Sequence, residues 1–271
     1  MSKPIRVGLL GFGAIGREVA RLLRGVAGVS IVGVAKSTPL RSEDALILPA
    51  DARCMHRPED FAALEVDLAV ECAGGPALAT FAPATLRRGH DLLIASVGAL
   101  ADADLESTLR AEAEGSGARI LIAAGALGGL DVLSAARLLG LDDVTYIGRK
   151  PPRAWHGTRA QQVIDLDALG AHAALVFDGN AREAALQFPQ NANVTAAVAI
   201  AGLGFERTRV QLLADGSLEG NEHHVHAQGP LCSFEINVRA NALPENPRSS
   251  RLAPCSLVRA ITNRNATVAF A

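Results

Sequence analysis

Three histidines fall within four positions in Asn221-Glu222-His223-His224-Val225-His226. Imidazole titrates near neutral pH without large perturbation, so one histidine here is a candidate general acid or base. A metal site is the other chemistry such a cluster suggests. The stretch reads as a strand, in which His224 and His226 share one face and His223 points to the other. No cysteine or carboxylate triad stands nearby to complete a ligand shell, so no metal is expected. A second group is Gln190-Asn191-Ala192-Asn193, ahead of the small-residue helix pattern Val194 to Ala201. Asn193 there either caps the helix or offers its amide to a carboxamide or a substrate. A third is Arg149-Lys150. Lys150 is the candidate for holding a substrate carboxylate, and a solvated basic loop is the alternative.

The start of the chain offers a binding pattern of a different kind. Val7-Gly8-Leu9-Leu10-Gly11-Phe12-Gly13-Ala14-Ile15-Gly16 reads as strand, tight turn and helix. Gly11, Gly13 and Gly16 fit the G-x-G-x-x-G dinucleotide fingerprint. Gly11 permits the turn, Gly13 lets a pyrophosphate approach the backbone, and Gly16 lets helix and strand pack closely. Phe12, Ala14 and Ile15 lie in the same turn and are assigned to the cofactor with it. The second strand, Val29 to Ala35, is followed by Lys36-Ser37-Thr38 and Arg41 where an acid would select NAD. Lys36 and Arg41 either suit a 2′-phosphate or are solvated cations of an exposed turn, so the cofactor is expected to be NAD or NADP. Asp67 to Gly75 reads as a strand running into a glycine turn, which places the backbone of Cys72 and Ala73 at the cofactor crevice. Cys72 is not expected to be a nucleophile, and His56 reads as a surface residue.

The elements that must position these residues follow two rhythms. From residue 5 to about 139, strands alternate with helices (76–88, 102–114), which predicts an α/β fold with a Rossmann-type doubly wound parallel sheet. Thereafter come a strand at 144–148, a proline-broken basic loop at 149–158 with the single Trp155, and a helix from about 159. Asn180 and Glu183 form a capping pattern, and strands are predicted at 174–177, 207–213, 223–227 and 233–239. This predicts a second, α+β domain with a mostly antiparallel sheet. The expected division is 1–126 for the dinucleotide domain and 127–242 for a catalytic and dimerisation domain, with 243–271 packing back on the first. Substrate is expected in the cleft between domains. The 271 residues carry a net charge of −2, which argues against nucleic acid. No stretch is apolar enough to span a membrane, and Met1-Ser2-Lys3-Pro4 leads straight into a strand, with no signal peptide expected. Cys54, Cys72, Cys232 and Cys255 lack C-x-x-C spacing and read as reduced thiols of a cytoplasmic protein.

Taken together, the motifs resemble the L-aspartate dehydrogenase family. They are Gly11 to Gly16, Glu71-Cys72-Ala73-Gly74, Ser96-Val97-Gly98-Ala99-Leu100, Gly125-Ala126-Leu127-Gly128-Gly129-Leu130-Asp131, Gly148-Arg149-Lys150-Pro151, Asn193-Val194-Thr195-Ala196, Asn221-Glu222-His223 and Asn246-Pro247-Arg248-Ser249-Ser250. The resemblance implies oxidation of L-aspartate with NAD or NADP to iminoaspartate, which hydrolyses to oxaloacetate and ammonia or feeds NAD biosynthesis. It implies His223 as the catalytic histidine, Ala126 and Asn193 as cofactor contacts, and a homodimer. His223 is then the expected base that activates water toward the imine. The chain departs from the pattern at Asp215-Gly216, where Asp-Pro is common, and at Gly229-Pro230-Leu231-Cys232, where Gly-x-Phe-Gly is usual. The alternatives are a related amino-acid or imine dehydrogenase, or a non-catalytic nicotinamide-binding sensor.

Overall fold

The chain is described by a computed structural model over residues 3–189, 192–240, 242–243 and 246–269, with backbone alone for 242–243 and 246–249. It divides into two compact units, one running to Gly125 and resuming at Ala253, the other Ala126–Leu252.

The first unit grows from β1 (Ile5–Leu10), almost wholly buried because both faces of a parallel strand are covered. The glycine turn leads into α1 (Ala14–Leu23), whose buried Gly16, Val19, Ala20 and Leu23 recur at helical spacing. There follow β2 (Val29–Ala35), β3 (Arg53–Met55), α2 (Pro58–Ala62), β4 (Leu68–Glu71), α3 (Gly75–Arg87), β5 (Leu92–Ile94), α4 (Ala103–Ser116) and β6 (Ile120–Ile122). Among the described residues these strands form one sheet in the order β3-β2-β1-β4-β5-β6, every pairing parallel. The chain moves outward from β1 in one direction through β2 and in the other through β4. The glycine turn after β1 therefore lies at the point where strand order reverses, the place such sheets bind ligands. Pro83 is accommodated inside α3. Asp102 caps α4 by accepting from the backbone N–H of Asp104 and Leu105.

The second unit holds α5 (Leu130–Leu138), β7 (Asp143–Lys150), β8 (Ala173–Asn180), α6 (Ala181–Gln187), α7 (Asn193–Ala201), β9 (Arg209–Asp215), β10 (Asn221–Gln228), β11 (Ser233–Ala240), β12 (Ala242–Leu243) and β13 (Asn246–Ser250). Its main sheet runs β11-β10-β7-β9-β8, with only β7 and β9 parallel. Along β7 the residues 144, 146, 148 and 150 are buried and alternate with more open ones, as a strand covered on one face requires. The Asn180–Glu183 capping box forms at the start of α6. In α7, Thr195 to Ala199 are buried, and their small size lets α5 and α6 both pack on it.

Three sequence expectations shift. The strand predicted at 144–148 continues through Lys150, so Arg149 and Lys150 are strand residues, not loop. The helix predicted from residue 159 is a single 3-10 turn at Arg159–Gln162. Segment 243–252 groups with the second unit. The last helix, α8 (Leu252–Asn263), enters the first unit's core through Leu257 and Ile261, beside Val7, Val19 and Val70.

Candidate active site

The glycine turn has the geometry of a phosphate cradle. Gly11 holds φ +107, and a Cβ there would lie 2.5 Å from the Cβ of Ala73. A Cβ on Gly16 would strike the Gly11 carbonyl oxygen at 2.3 Å. Gly13 has nothing within 4 Å of where a Cβ would stand, so the space above its backbone is open. No side chain caps α1 and no acid sits in its first turn. Its leading N–H groups and positive dipole end are thus presented for an anion, and these residues fit the pyrophosphate of a nicotinamide dinucleotide. Phe12 is buried, and Ile15 packs against the core cluster.

Two buried carboxylates shape the rest of this rim: Asp44, which no sequence pattern singled out, and Glu71, which stood in a motif with no role assigned to it. At the end of β2, Lys36 Nζ lies 3.5 Å from Asp44 Oδ2 and donates to the Pro39 carbonyl at 3.2 Å. Asp44 is fully buried, with Arg17 Nη2 at 2.7 Å and the Arg41 backbone N–H donating at 2.8 Å. Burial pulls the Asp44 pKa up, but that hydrogen bond and the charges of Arg17 and Lys36 outweigh it and hold the acid below its ordinary range. An acid does serve the end of β2, then, and it is engaged by cations. At the end of β4, Glu71 is also fully buried. It accepts from the N–H groups of Ala73 (2.7 Å), Gly74 (2.8 Å), Ala95 (3.2 Å) and Ser96 (2.8 Å), and from Ser96 Oγ (2.9 Å). Glu71 therefore ties the loop after β4, which carries Cys72 and Ala73, to the loop after β5. Cys72 donates its thiol to the Gly11 carbonyl, and burial pushes its pKa up, away from nucleophilic use.

In the second unit the three histidines separate as strand alternation predicts. His224 and His226 are both half-buried, with His224 Nε2 3.3 Å from Glu222 and His226 Nδ1 3.8 Å from Asp143. His223 is 3% exposed and stands opposite Gly148 in the β10–β7 register. Its Nδ1 is hydrogen-bonded at 2.8 Å to the hydroxyl of Tyr146, itself 1% exposed. The two rings lie 17° from parallel. Gly148 makes this contact possible, since a Cβ there would come within 2.8 Å of the hydroxyl oxygen. The other ring nitrogen, Nε2, is buried and has no hydrogen-bond partner among the described residues. Burial first, then the charge of Lys150, pushes the His223 pKa down to about 3. The imidazole is therefore neutral at physiological pH, not poised to titrate there. Lys150 belongs to the same buried set of β7 positions as Tyr146 and Gly148, and burial lowers its pKa to about 8.

Beyond this set, Arg149 pairs with Asp215 and reaches Glu222 at 3.2 Å, and Arg239 meets Glu222 at 2.7 Å. Gly216 donates its backbone N–H to the His172 carbonyl at 3.0 Å, a bond proline could not make. Ala126 is buried. Asn193 is exposed and opens α7 one residue inside the cap position, which Ala192 holds. Gln190 and Asn191 lie outside the described residues. Among the described residues no group of three histidine, cysteine or acidic side chains is placed to hold a metal ion, and no helix is long and apolar enough to cross a membrane.

Comparison with known proteins adds an independent line. Residues 11–123 match the family model described as homoserine dehydrogenase, NAD binding domain. Residues 131–264 match the model described as aspartate dehydrogenase, C-terminal. The chain is 44% identical to the L-aspartate dehydrogenase of Cupriavidus necator over 263 residues, spanning 96% of this chain and 97% of that one. It is 43% identical to the L-aspartate dehydrogenase of Ralstonia pickettii over 264 residues, with the same coverage. Among solved structures it is similar to the aspartate dehydrogenase of Thermotoga maritima, with a TM-score of 0.76 at 25% identity, covering 98% of this chain and 99% of that one. Glycine turn, His223 strand and near-complete alignment point the same way: this chain belongs to the aspartate dehydrogenase family.

Proposed function

We propose that the protein oxidises L-aspartate with NAD or NADP to iminoaspartate, which hydrolyses to oxaloacetate and ammonia, or runs the reverse amination. The observation that carries this reading is the buried His223–Tyr146 pair, with Nε2 unpaired among the described residues, on a strand of the aspartate dehydrogenase module. When bound, the cofactor supplies the oxidant, taking a hydride from the substrate Cα. Gly11 to Gly16 hold its pyrophosphate, with the backbone of Cys72 and Ala73 beside them, and Ala126 and Asn193 serve as contacts near the nicotinamide. Lys36 serves the adenosine ribose or its 2′-phosphate from the place where Asp44 holds it. Lys150, protonated below a pH of about 8, binds a substrate carboxylate. His223 meets the reacting centre during hydrolysis of the imine.

The test is NAD(P)H formation across a panel of amino acids, run with NAD and NADP in parallel. L-aspartate alone should support turnover; turnover only with another amino acid would redirect the assignment, and cofactor binding with no turnover would overturn it. His223→Ala should lower kcat by about 10²–10⁴-fold with cofactor affinity unchanged, and near-normal turnover would remove His223 from the site.

The same reading makes the protein a homodimer in the cytoplasm. Supporting the first, Val132, Leu138 and Leu139 are exposed around a groove of about 420 Å³ shared with Cys232 and Phe234. Supporting the second, Cys54, Cys72, Cys232 and Cys255 are free thiols.

A further inference from the structure

We propose that Tyr146 is a positioning residue that locks His223 in its Nε2–H tautomer, so that His223 meets the substrate as a hydrogen-bond donor to oxygen. This rests on the placement of His223 at the reacting centre, and it reverses the direction expected from the sequence, where the imidazole was read as a proton acceptor.

The two groups share one hydrogen bond of 2.8 Å, which can run either way. Two arguments decide it. A phenol O–H is a stronger acid than a neutral imidazole N–H, and an imidazole nitrogen is a far better acceptor than a phenol oxygen. Both differences favour the hydroxyl donating to Nδ1. The second argument counts protons. Tyr146 is 1% exposed, and among the described residues its hydroxyl has no other partner. Were Nδ1–H to donate, the phenolic proton would be buried without an acceptor, and the Nε2 lone pair would also be unmet. With the hydroxyl donating, the single unmet group is the Nε2–H. A buried polar group left unpaired is costly, so the arrangement with one such group prevails over the arrangement with two. That one group is the atom no described residue satisfies, as expected of an atom whose partner is a ligand.

Gly148 is the structural sign that the contact is built in. It faces His223 across the strand pair, and any side chain there would crowd the Tyr146 hydroxyl and Leu212. Burial and the Lys150 charge keep the imidazole uncharged, so its tautomer alone decides what Nε2 offers. A neutral imidazole N–H stabilises charge building on an oxygen without giving up its proton. The oxygens available are a substrate carboxylate and the oxygen that adds to the imine carbon. The proton lost by the attacking water then passes to solvent and not to Nε2.

The tautomer is read directly by nitrogen-15 NMR on the full-length protein labelled at histidine, with the His223 signals identified by their loss in His223→Gln. Wild type should show a protonated Nε2 and an unprotonated, hydrogen-bonded Nδ1. In Tyr146→Phe the preference should disappear, with kcat falling on the order of tenfold or more and the cofactor KM unchanged. A wild-type His223 protonated at Nδ1 with a bare Nε2 would overturn the proposal, as would a phenylalanine variant that keeps both tautomer and kcat. The wild-type spectrum is decisive even if that variant fails to fold. It is also independent of turnover, so it separates this proposal from the substrate assignment, which the His223→Ala assay tests.

Discussion

The Glu71 carboxylate gathers five hydrogen bonds from two loops, and among the described residues no cation pairs with it. An amide in its place would turn one acceptor into a donor that faces N–H groups. Glu71→Gln should therefore cost about 1–3 kcal/mol of stability and weaken cofactor binding, since Cys72 and Ala73 lie in one of the loops it holds. Denaturant unfolding and a cofactor titration check this; unchanged values in both would show that the loops hold themselves. Asp44 and Tyr146, and the role of Glu71 within its motif, share a reason for being illegible in the sequence. Each matters through partners brought in by folding, and Tyr146 meets His223 across 77 positions. His223 was legible because strand alternation isolates it from His224 and His226, and because the resemblance names that position. Its depressed pKa was not, since burial and the nearness of Lys150 are properties of the packed sheet.

At the level of elements, the strand–turn–helix at the start was readable because its rules are local. A glycine is needed wherever a Cβ would strike backbone, and Gly16 against the Gly11 carbonyl is such a place. Gly16→Ala should push α1 off β1, cost about 1–3 kcal/mol and abolish the thermal stabilisation that NAD gives. Melting curves with and without cofactor measure both effects, and an alanine variant that NAD still stabilises would show that the turn tolerates the shift. The capping box of α6 was equally local. The reach of β7 was not, because nothing within Gly148-Arg149-Lys150 says that a strand continues; its neighbours β10 and β9 hold it in the sheet through Arg149 and Lys150. That continuation turns Lys150 from a solvated cation into a buried one.

Across the whole molecule, the change of rhythm near residue 140 revealed two kinds of architecture before any coordinate did. The exposed apolar face of α5 was less legible, because Val132 and Leu138 lie where its own unit leaves them open. If that surface joins two copies, Leu138→Glu should convert a dimer into a monomer with unchanged circular dichroism, as read by light scattering. A variant that remains dimeric would place the interface elsewhere.

The return of α8 to the first unit also sets an order in time. Leu257 and Ile261 belong to the same core as Val7 and Val19, yet residues 126–252 are made between them. At roughly 5–20 residues per second, the ribosome delivers the missing wall of that core on the order of ten seconds after the strands that await it. During that interval the nascent first unit keeps apolar surface uncovered. The core that begins with the first strand therefore cannot close until nearly the whole chain has been made.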